Sequence, residues 1–225
     1  MEKAAETGNV ESMLHLAYVY NPCLGYENDF EKAREWYKKA VALGNTYAMY
    51  HLGEMYENVD DAEQNIIKAI ECYEKAAALG NVNSAYHLGY LYYKGYDVEK
   101  NLMKAFEWWE KGAALNDPNA MLNIGCMYYD GEGVEKNFAK ARYWFEKSAA
   151  LENDHAMYNL GLMYDRGESV EKNFETALEW YRKAAEKHTS KALNMLGRIY
   201  ELGDGVEKNL DLAAKFYEEA DFWDI

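Results

Sequence analysis

The chain has 225 residues, of which 49% are hydrophobic and 15% aromatic, enough apolar surface for a sizeable core and far more than unfolded chains carry. With 24 Lys and Arg against 39 Asp and Glu the formal charge is −15, which argues against binding nucleic acid or an anionic membrane surface, both of which need clustered cations. No stretch approaches the ~20 apolar residues of a membrane span, no hydrophobic signal region follows Met1, and three cysteines (Cys23, Cys72, Cys126) lack metal-like spacing, so a soluble, cytoplasmic chain is expected.

In chain order, residues 1–9 read as the tail of a helix, because Glu2-Lys3-Ala4-Ala5 through Gly8-Asn9 matches Glu74-Lys75-Ala76-Ala77 through Gly80-Asn81. Six copies of a 36-residue unit follow, spanning 10–45, 46–81, 82–117, 118–153, 154–189 and 190–225. Their marker is a small residue after Leu or Ile, at Ala17, Gly53, Gly89, Gly125, Gly161 and Gly197. A tyrosine stands three residues after each marker, from Tyr20 to Tyr200, and an alanine sixteen after it, from Ala33 to Ala213. Apolar residues in each unit follow helical spacing twice, as in Ala48, Met49, Leu52, Met55 and Tyr56, and again in Phe138, Ala141, Trp144, Phe145 and Ala149. Each segment is about three turns long and must bury its stripe on a neighbour.

The punctuation agrees with two helices per unit. Asn9, Asn45, Asn81, Asp117, Asn153 and Thr189 precede the first helices, and Asp29, Asn65, Asn101, Asn137, Asn173 and Asn209 precede the second; all can accept from helix N–H groups. Gly8, Gly44 and Gly80 fit left-handed C-cap positions, and Asn116, Glu152 and His188 in that slot predict poorer capping at the last three junctions. Trp36, Trp108, Trp144 and Trp180, with Cys72 and Phe216 in the same register, read as a core column. The tyrosines of the Tyr20 column read as packing between units.

The pattern Ala-x-x-x-Leu-Gly-x-x-Tyr, then Gly-x-Gly-Val-x-x-Asn, then Lys-Ala-x-x-Trp-Phe/Tyr-x-Lys-Ala-Ala, as from Ala120 through Ala150, resembles the Sel-one-like repeat, a branch of the tetratricopeptide-repeat superfamily, over essentially the whole chain. Four copies match closely. The first departs at Tyr20-Asn21-Pro22-Cys23-Leu24-Gly25 and the second at Val59-Asp60-Asp61-Ala62-Glu63, where the glycine-rich loop is missing. The resemblance implies an all-α, right-handed α-solenoid of six helix-turn-helix repeats forming one domain, with first helices lining a concave face. It also implies a non-catalytic adaptor or scaffold that binds a protein or peptide segment.

Candidate chemistry reduces to repeat columns. A cysteine-rich subfamily of the repeat is described as binding or slowly hydrolysing β-lactams, which makes such a hydrolase the alternative, yet its paired cysteines are missing here. The literal S-x-x-K at Ser169 to Lys172 has Gly133 to Lys136 and Gly205 to Lys208 as siblings, so Ser169 is one spelling of a connection. Neither a catalytic centre, a cofactor nor a metal is expected. His15, His51 and His87 recur every 36 residues and are continued by Asn123 and Asn159, a spacing too wide for one metal ion. They suit either ligand hydrogen bonding or partners within their own repeats.

By analogy with peptide-binding members of the superfamily, the ligand-facing residues are Tyr18, Tyr50, His51, Glu54, Tyr86, His87, Tyr90, Tyr93, Asn123, Tyr129, Tyr158 and Asn159. Tyrosines at helical spacing give contact area at low entropic cost. Glu11, Glu54, Glu57 and Asp165 outnumber Lys191 and Arg198 on this face, so a neutral to basic partner with apolar anchors is expected. Phe222 and Trp223 predict either a makeshift cap or end-to-end self-association.

Overall fold

The computed structural model describes residues 1–21, 29–58, 62–95 and 98–223, and among them there is no strand. Residues 22–28 and 59–61, Cys23 among them, where the first two repeats depart from the motif, lie outside the described residues. The helices run α1 (Glu2–Glu6), α2 (Val10–Tyr20), α3 (Phe30–Ala42), α4 (Thr46–Glu57), α5 (Ala62–Ala78), α6 (Val82–Lys94), α7 (Leu102–Ala114), α8 (Pro118–Asp130), α9 (Phe138–Ala150), α10 (Asp154–Arg166), α11 (Phe174–Ala185), α12 (Ser190–Leu202) and α13 (Leu210–Trp223). They pack as two compact units, Met1–Leu115 and Asn116–Ile225. Within each unit the helices pack mainly on their sequence neighbours, as a stack of helix pairs should. No described helix is long and apolar enough to cross a membrane.

The tightest contact is the same in every pair from α4 onward. A Cβ placed on Gly53 would stand 2.5 Å from the Tyr73 ring, and one on Gly89, Gly125, Gly161 or Gly197 would meet Trp109, Phe145, Tyr181 or Tyr217 at 2.4–2.7 Å. Ala17 takes the place of glycine in α2, and both it and Tyr37, the ring in the same register, are buried. The core column is therefore Tyr37, Tyr73, Trp109, Phe145 and Tyr181, all essentially inaccessible, with Tyr217 half-buried. This corrects the tryptophan column read from the sequence. Trp36 is buried, but Trp108, Trp144 and Trp180 are only partly so. They lie one residue, about 100° of helix rotation, from the ring that meets the glycine. A lysine one turn on covers each, with Lys39, Lys111, Lys147 and Lys183 at 3.8, 3.4, 5.4 and 4.3 Å from the ring centres of Trp36, Trp108, Trp144 and Trp180.

The tyrosines after the marker have a different task. Tyr20, Tyr56, Tyr128 and Tyr164 pack on the cores half-buried, and Tyr92 is buried. The carbonyls of Tyr92, Tyr128, Tyr164 and Tyr200 accept from the N–H of Asn101, Asn137, Asn173 and Asn209 at 2.8–2.9 Å. Each of those asparagines then caps the second helix through its side chain. Asn65 does not cap, because α5 begins upstream of it at Ala62. Thr189 also makes no side-chain cap bond; its hydroxyl donates instead to Asp154 in the preceding repeat. Other first-helix caps reach back in the same way, Asn81 to the Thr46 carbonyl at 3.4 Å and Asn153 to Asn119 at 3.0 Å.

At the junctions between repeats Gly8, Gly44 and Gly80 have φ of +96°, +80° and +87°, and Asn116, Glu152 and His188 adopt the same left-handed turn at +62°, +63° and +62°. At Glu152 and His188 the closing hydrogen bonds still form, from the Glu152 N–H to Ala149 at 2.9 Å and from the His188 N–H to Ala185 at 2.8 Å. The poorer capping predicted there thus resides in backbone strain rather than in lost bonds. Ser169 is left-handed too, at φ +65°, in the slot that Gly133 and Gly205 fill at +75° and +67°. Beyond the last junction Trp223 stacks on His188 with centroids 4.4 Å apart, while Phe222 stays 66% exposed.

Two outcomes follow from this packing. Gly125→Ala gains helix propensity but forces a methyl into the rigid Phe145 ring, so the clash should dominate and cost roughly 1–3 kcal/mol in a urea melt. Glu152→Gly relieves a strained φ and loses only an exposed pair to Lys187, so its thermal midpoint should rise by about 2–4 °C in a circular dichroism scan.

Candidate functional site

In the first unit the predicted ligand-facing residues lie on α2, α4 and α6. Tyr18 and Tyr90 are 45% and 37% exposed, and Tyr47, which the sequence reading did not include, is 50% exposed. Tyr50, His51, Tyr86, His87 and Tyr93 are half-buried. Tyr93 leans on Trp109 with centroids 5.3 Å apart, and Lys94 stands 5.5 Å over Tyr90.

The polar groups of this face form two carboxylate-centred sets. His51 Nδ1 lies 2.6 Å from Glu54, and the Tyr50 hydroxyl also donates to Glu54. His87 Nε2 lies 2.8 Å from Glu57, which belongs to the preceding repeat, and the Tyr73 hydroxyl donates to the same oxygen at 2.8 Å. The rings touch as well, Tyr50 against His51 at 5.2 Å and His87 at 6.2 Å, and Tyr47 edge-on to His51 at 4.1 Å. The two imidazoles therefore hold carboxylates of their own chain on these nitrogens, while His51 Nε2 is buried with no partner among the described residues. His15, the first of the column, is exposed. Burial alone would raise Glu57, but hydrogen bonds from His87 and Tyr73 and the field of His87 outweigh it and hold the carboxyl below its ordinary value; Glu54 is lowered by His51 and Tyr50 in the same way. Burial, and then the bond to Glu54, pushes the Tyr50 phenol well up, so Tyr50 remains a neutral donor.

In the second unit the corresponding face comes from α8, α10 and α12. The Tyr129 hydroxyl donates to Glu168 at 2.7 Å and accepts from Arg166 at 2.6 Å, while its ring packs on Phe138. Asn159 donates weakly to Cys126 Sγ at 3.9 Å, and burial pushes that thiol up to about 11, so Cys126 is a neutral packing group. Asn123 is half-buried. Tyr158 lies over Tyr181 and borders an open cavity of about 270 Å³ with Lys191, Asn194, Met195 and Arg198. No group of His, Cys, Asp and Glu among the described residues could hold a metal ion.

The chemistry offered is recognition by tyrosine rings and half-buried carboxylates. Tyr73, central to the first unit, is missing from the residues that the sequence places on this face, whereas Glu57 is among its expected acidic groups. The signal for Tyr73 was its place twenty residues after Gly53, where every repeat is aromatic. Because the Glu57 carboxyl is lower in the folded chain than in the unfolded one, its stabilisation is complete above the ordinary carboxylate range and is lost as pH falls through the folded value. Glu57→Gln should therefore cost roughly 1–2 kcal/mol at neutral pH, and this difference from the parent should shrink in urea melts taken down to about pH 3.

The Sel1 repeat model matches residues 10–45, 46–81, 82–117, 118–153, 154–188 and 190–220. Among solved structures, the chain superposes on c5321, a protective antigen of uropathogenic Escherichia coli displaying an SLR fold, with a TM-score of 0.85 and 28% identity over 98% of this chain and 47% of that one. The chain thus spans about half the length of that relative. A Sel1 repeat protein from Oxalobacter formigenes gives a TM-score of 0.83 and 29% identity over 96% of this chain and 89% of that one. The immunity protein Pa5087 from Pseudomonas aeruginosa, at 22% identity and a TM-score of 0.52 over 95% of this chain and 83% of that one, shares the fold alone. No curated protein matches the sequence. Sel1 repeat proteins generally mediate protein–protein interactions. With all six units matched by one model and the helix pairs superposing on solved relatives, the chain belongs to the Sel1 repeat family, an all-α solenoid of six repeats.

Proposed function

We propose that the chain is a non-catalytic interaction module whose first unit takes a polypeptide segment along the faces of α2, α4 and α6. The observation that carries this reading is the composition of the face: exposed Tyr18, Tyr47 and Tyr90 share it with Glu54 and Glu57, whose side chains are 33% and 21% exposed. Rings of this kind anchor a partner's apolar side chains, and carboxylates held ionised by His and Tyr neighbours favour a neutral to basic segment over an acidic one. Asn123, Tyr129, Tyr158 and Asn159 form a separate face on the second unit. Nothing favours the hydrolase reading, since Ser169 occupies a left-handed turn slot that glycine fills in sibling repeats.

Affinity capture from the source organism, identified by mass spectrometry, supplies the partner. Truncating buried aromatic anchors typically costs ~2 kcal/mol or more, so Tyr86→Ala/Tyr90→Ala should weaken its binding at least about thirtyfold by calorimetry with helicity retained. Unchanged affinity in that variant, together with loss of binding when Glu107 and Lys111 of α7 are reversed in charge, would move the site to the second-helix face.

A further inference from the structure

The cavity beside Tyr158 differs in charge from the remainder of the first-helix faces. Its α12 wall is Lys191, Asn194, Met195 and Arg198, which the i, i+3, i+4, i+7 spacing places on one stripe, and Tyr158 of α10 closes the other side. In two variable columns of this face, the sixth repeat has Lys191 and Arg198 where the first has Glu11 and Tyr18, the second Tyr47 and Glu54, and the third Asn83 and Tyr90. No other repeat is basic at both. The whole chain carries a charge of −15, so a pair of cations on one cavity runs against the composition.

Neither cation is neutralised by a described carboxylate. Lys191 and Arg198 are exposed and make no ion pair among the described residues, whereas their neighbours are engaged elsewhere. Asp165, further along α10, lies 4.0 Å from Lys172, Glu168 accepts from Tyr129, and Glu201 of α12 accepts from Tyr217 at 2.8 Å. The positive field reaches across the cavity. Burial raises the Tyr158 phenol while Arg166 and Arg198 pull it down, and Lys191 acts on the Cys126 thiol in the same sense. Tyr158 thus stays protonated and able to donate.

We infer that this cavity is a carboxylate site of the second unit, which receives an Asp or Glu side chain of an extended partner segment with an aliphatic residue beside it. Arg198 offers a planar fork to both carboxylate oxygens and Lys191 a second charge. The Asn194 amide and Tyr158 hydroxyl are placed for the segment's remaining polar groups, and Met195 with the Tyr158 ring provides apolar contact. A nucleic-acid ligand fits poorly, because two cations in about 270 Å³ do not make the extended basic track that a phosphate backbone requires. The site goes beyond the reading of the first unit and has the opposite charge preference.

The test is a positional-scanning peptide array probed with the whole chain, followed by titration of the best peptide. Peptides with Asp or Glu next to Leu, Ile or Met should be enriched, and replacing that acid by its amide should weaken binding about tenfold or more. Lys191→Glu/Arg198→Glu should lose at least about tenfold, the neutral Arg198→Gln should lose less, and affinity should fall as salt is raised. Both side chains are exposed, so these variants should melt like the parent. Tyr86→Ala/Tyr90→Ala, which tests the first unit, should leave the acidic peptide's affinity unchanged. An array without acidic enrichment, an enriched peptide that binds the charge-reversed variant as tightly as the parent, or one lost instead in the tyrosine variant would overturn the assignment.

Discussion

A bare Cα in the middle of one helix, pressed against an aromatic ring of the next, is the contact on which the remaining packing depends. Each such glycine sacrifices about 1 kcal/mol of helix propensity relative to alanine. An aromatic ring buries ~150–250 Å², which at ~25 cal/mol per Å² is of order 4–6 kcal/mol as an upper bound, so close approach outweighs the lost propensity. A methyl group on any of five glycines would stand 2.4–2.7 Å from the facing ring, so either the ring or the helix would have to shift to admit it. One small residue thereby sets how near the paired helices lie, and its recurrence every 36 residues makes successive pairs alike.

Once that distance is set, the connections follow. The tyrosine one turn after the glycine lies in the last turn of the first helix, and in four repeats its carbonyl receives the N–H of the asparagine that caps the second. The first-helix caps serve two masters, closing their own helix and reaching the preceding repeat, as Asn81 and Asn153 do. Neighbours are stabilised together through such contacts, and a strained junction such as Glu152 or His188 is tolerated because the repeats on both sides over-determine it.

What varies lies on the first-helix face, where no ring demands a partner. The two units use that freedom in opposite directions. The first sets His51 and His87 against two carboxylates, which stay ionised among the tyrosines of that face, and the second gathers cations beside Tyr158. In a chain with a large acidic excess, local charge at a recognition face is set by a few positions and not by the total.

The sequence by itself determined the repeat, its helix pairs, most caps and the glycine positions, because these are short-range requirements that recur at one period and show in one dimension. It also indicated the tyrosines of the first-helix face. Only the tertiary structure decided which of two adjacent aromatic columns is buried, since residues such as Trp108 and Trp109 differ by a rotation that periodicity alone does not phase. It likewise decided that His87 holds Glu57 from another repeat, that Asn65 lies within α5, and that Lys191 and Arg198 face Tyr158 across a cavity. Those outcomes depend on the axial stagger and separation of neighbouring helices, quantities that arise from packing and are not written in residue spacing.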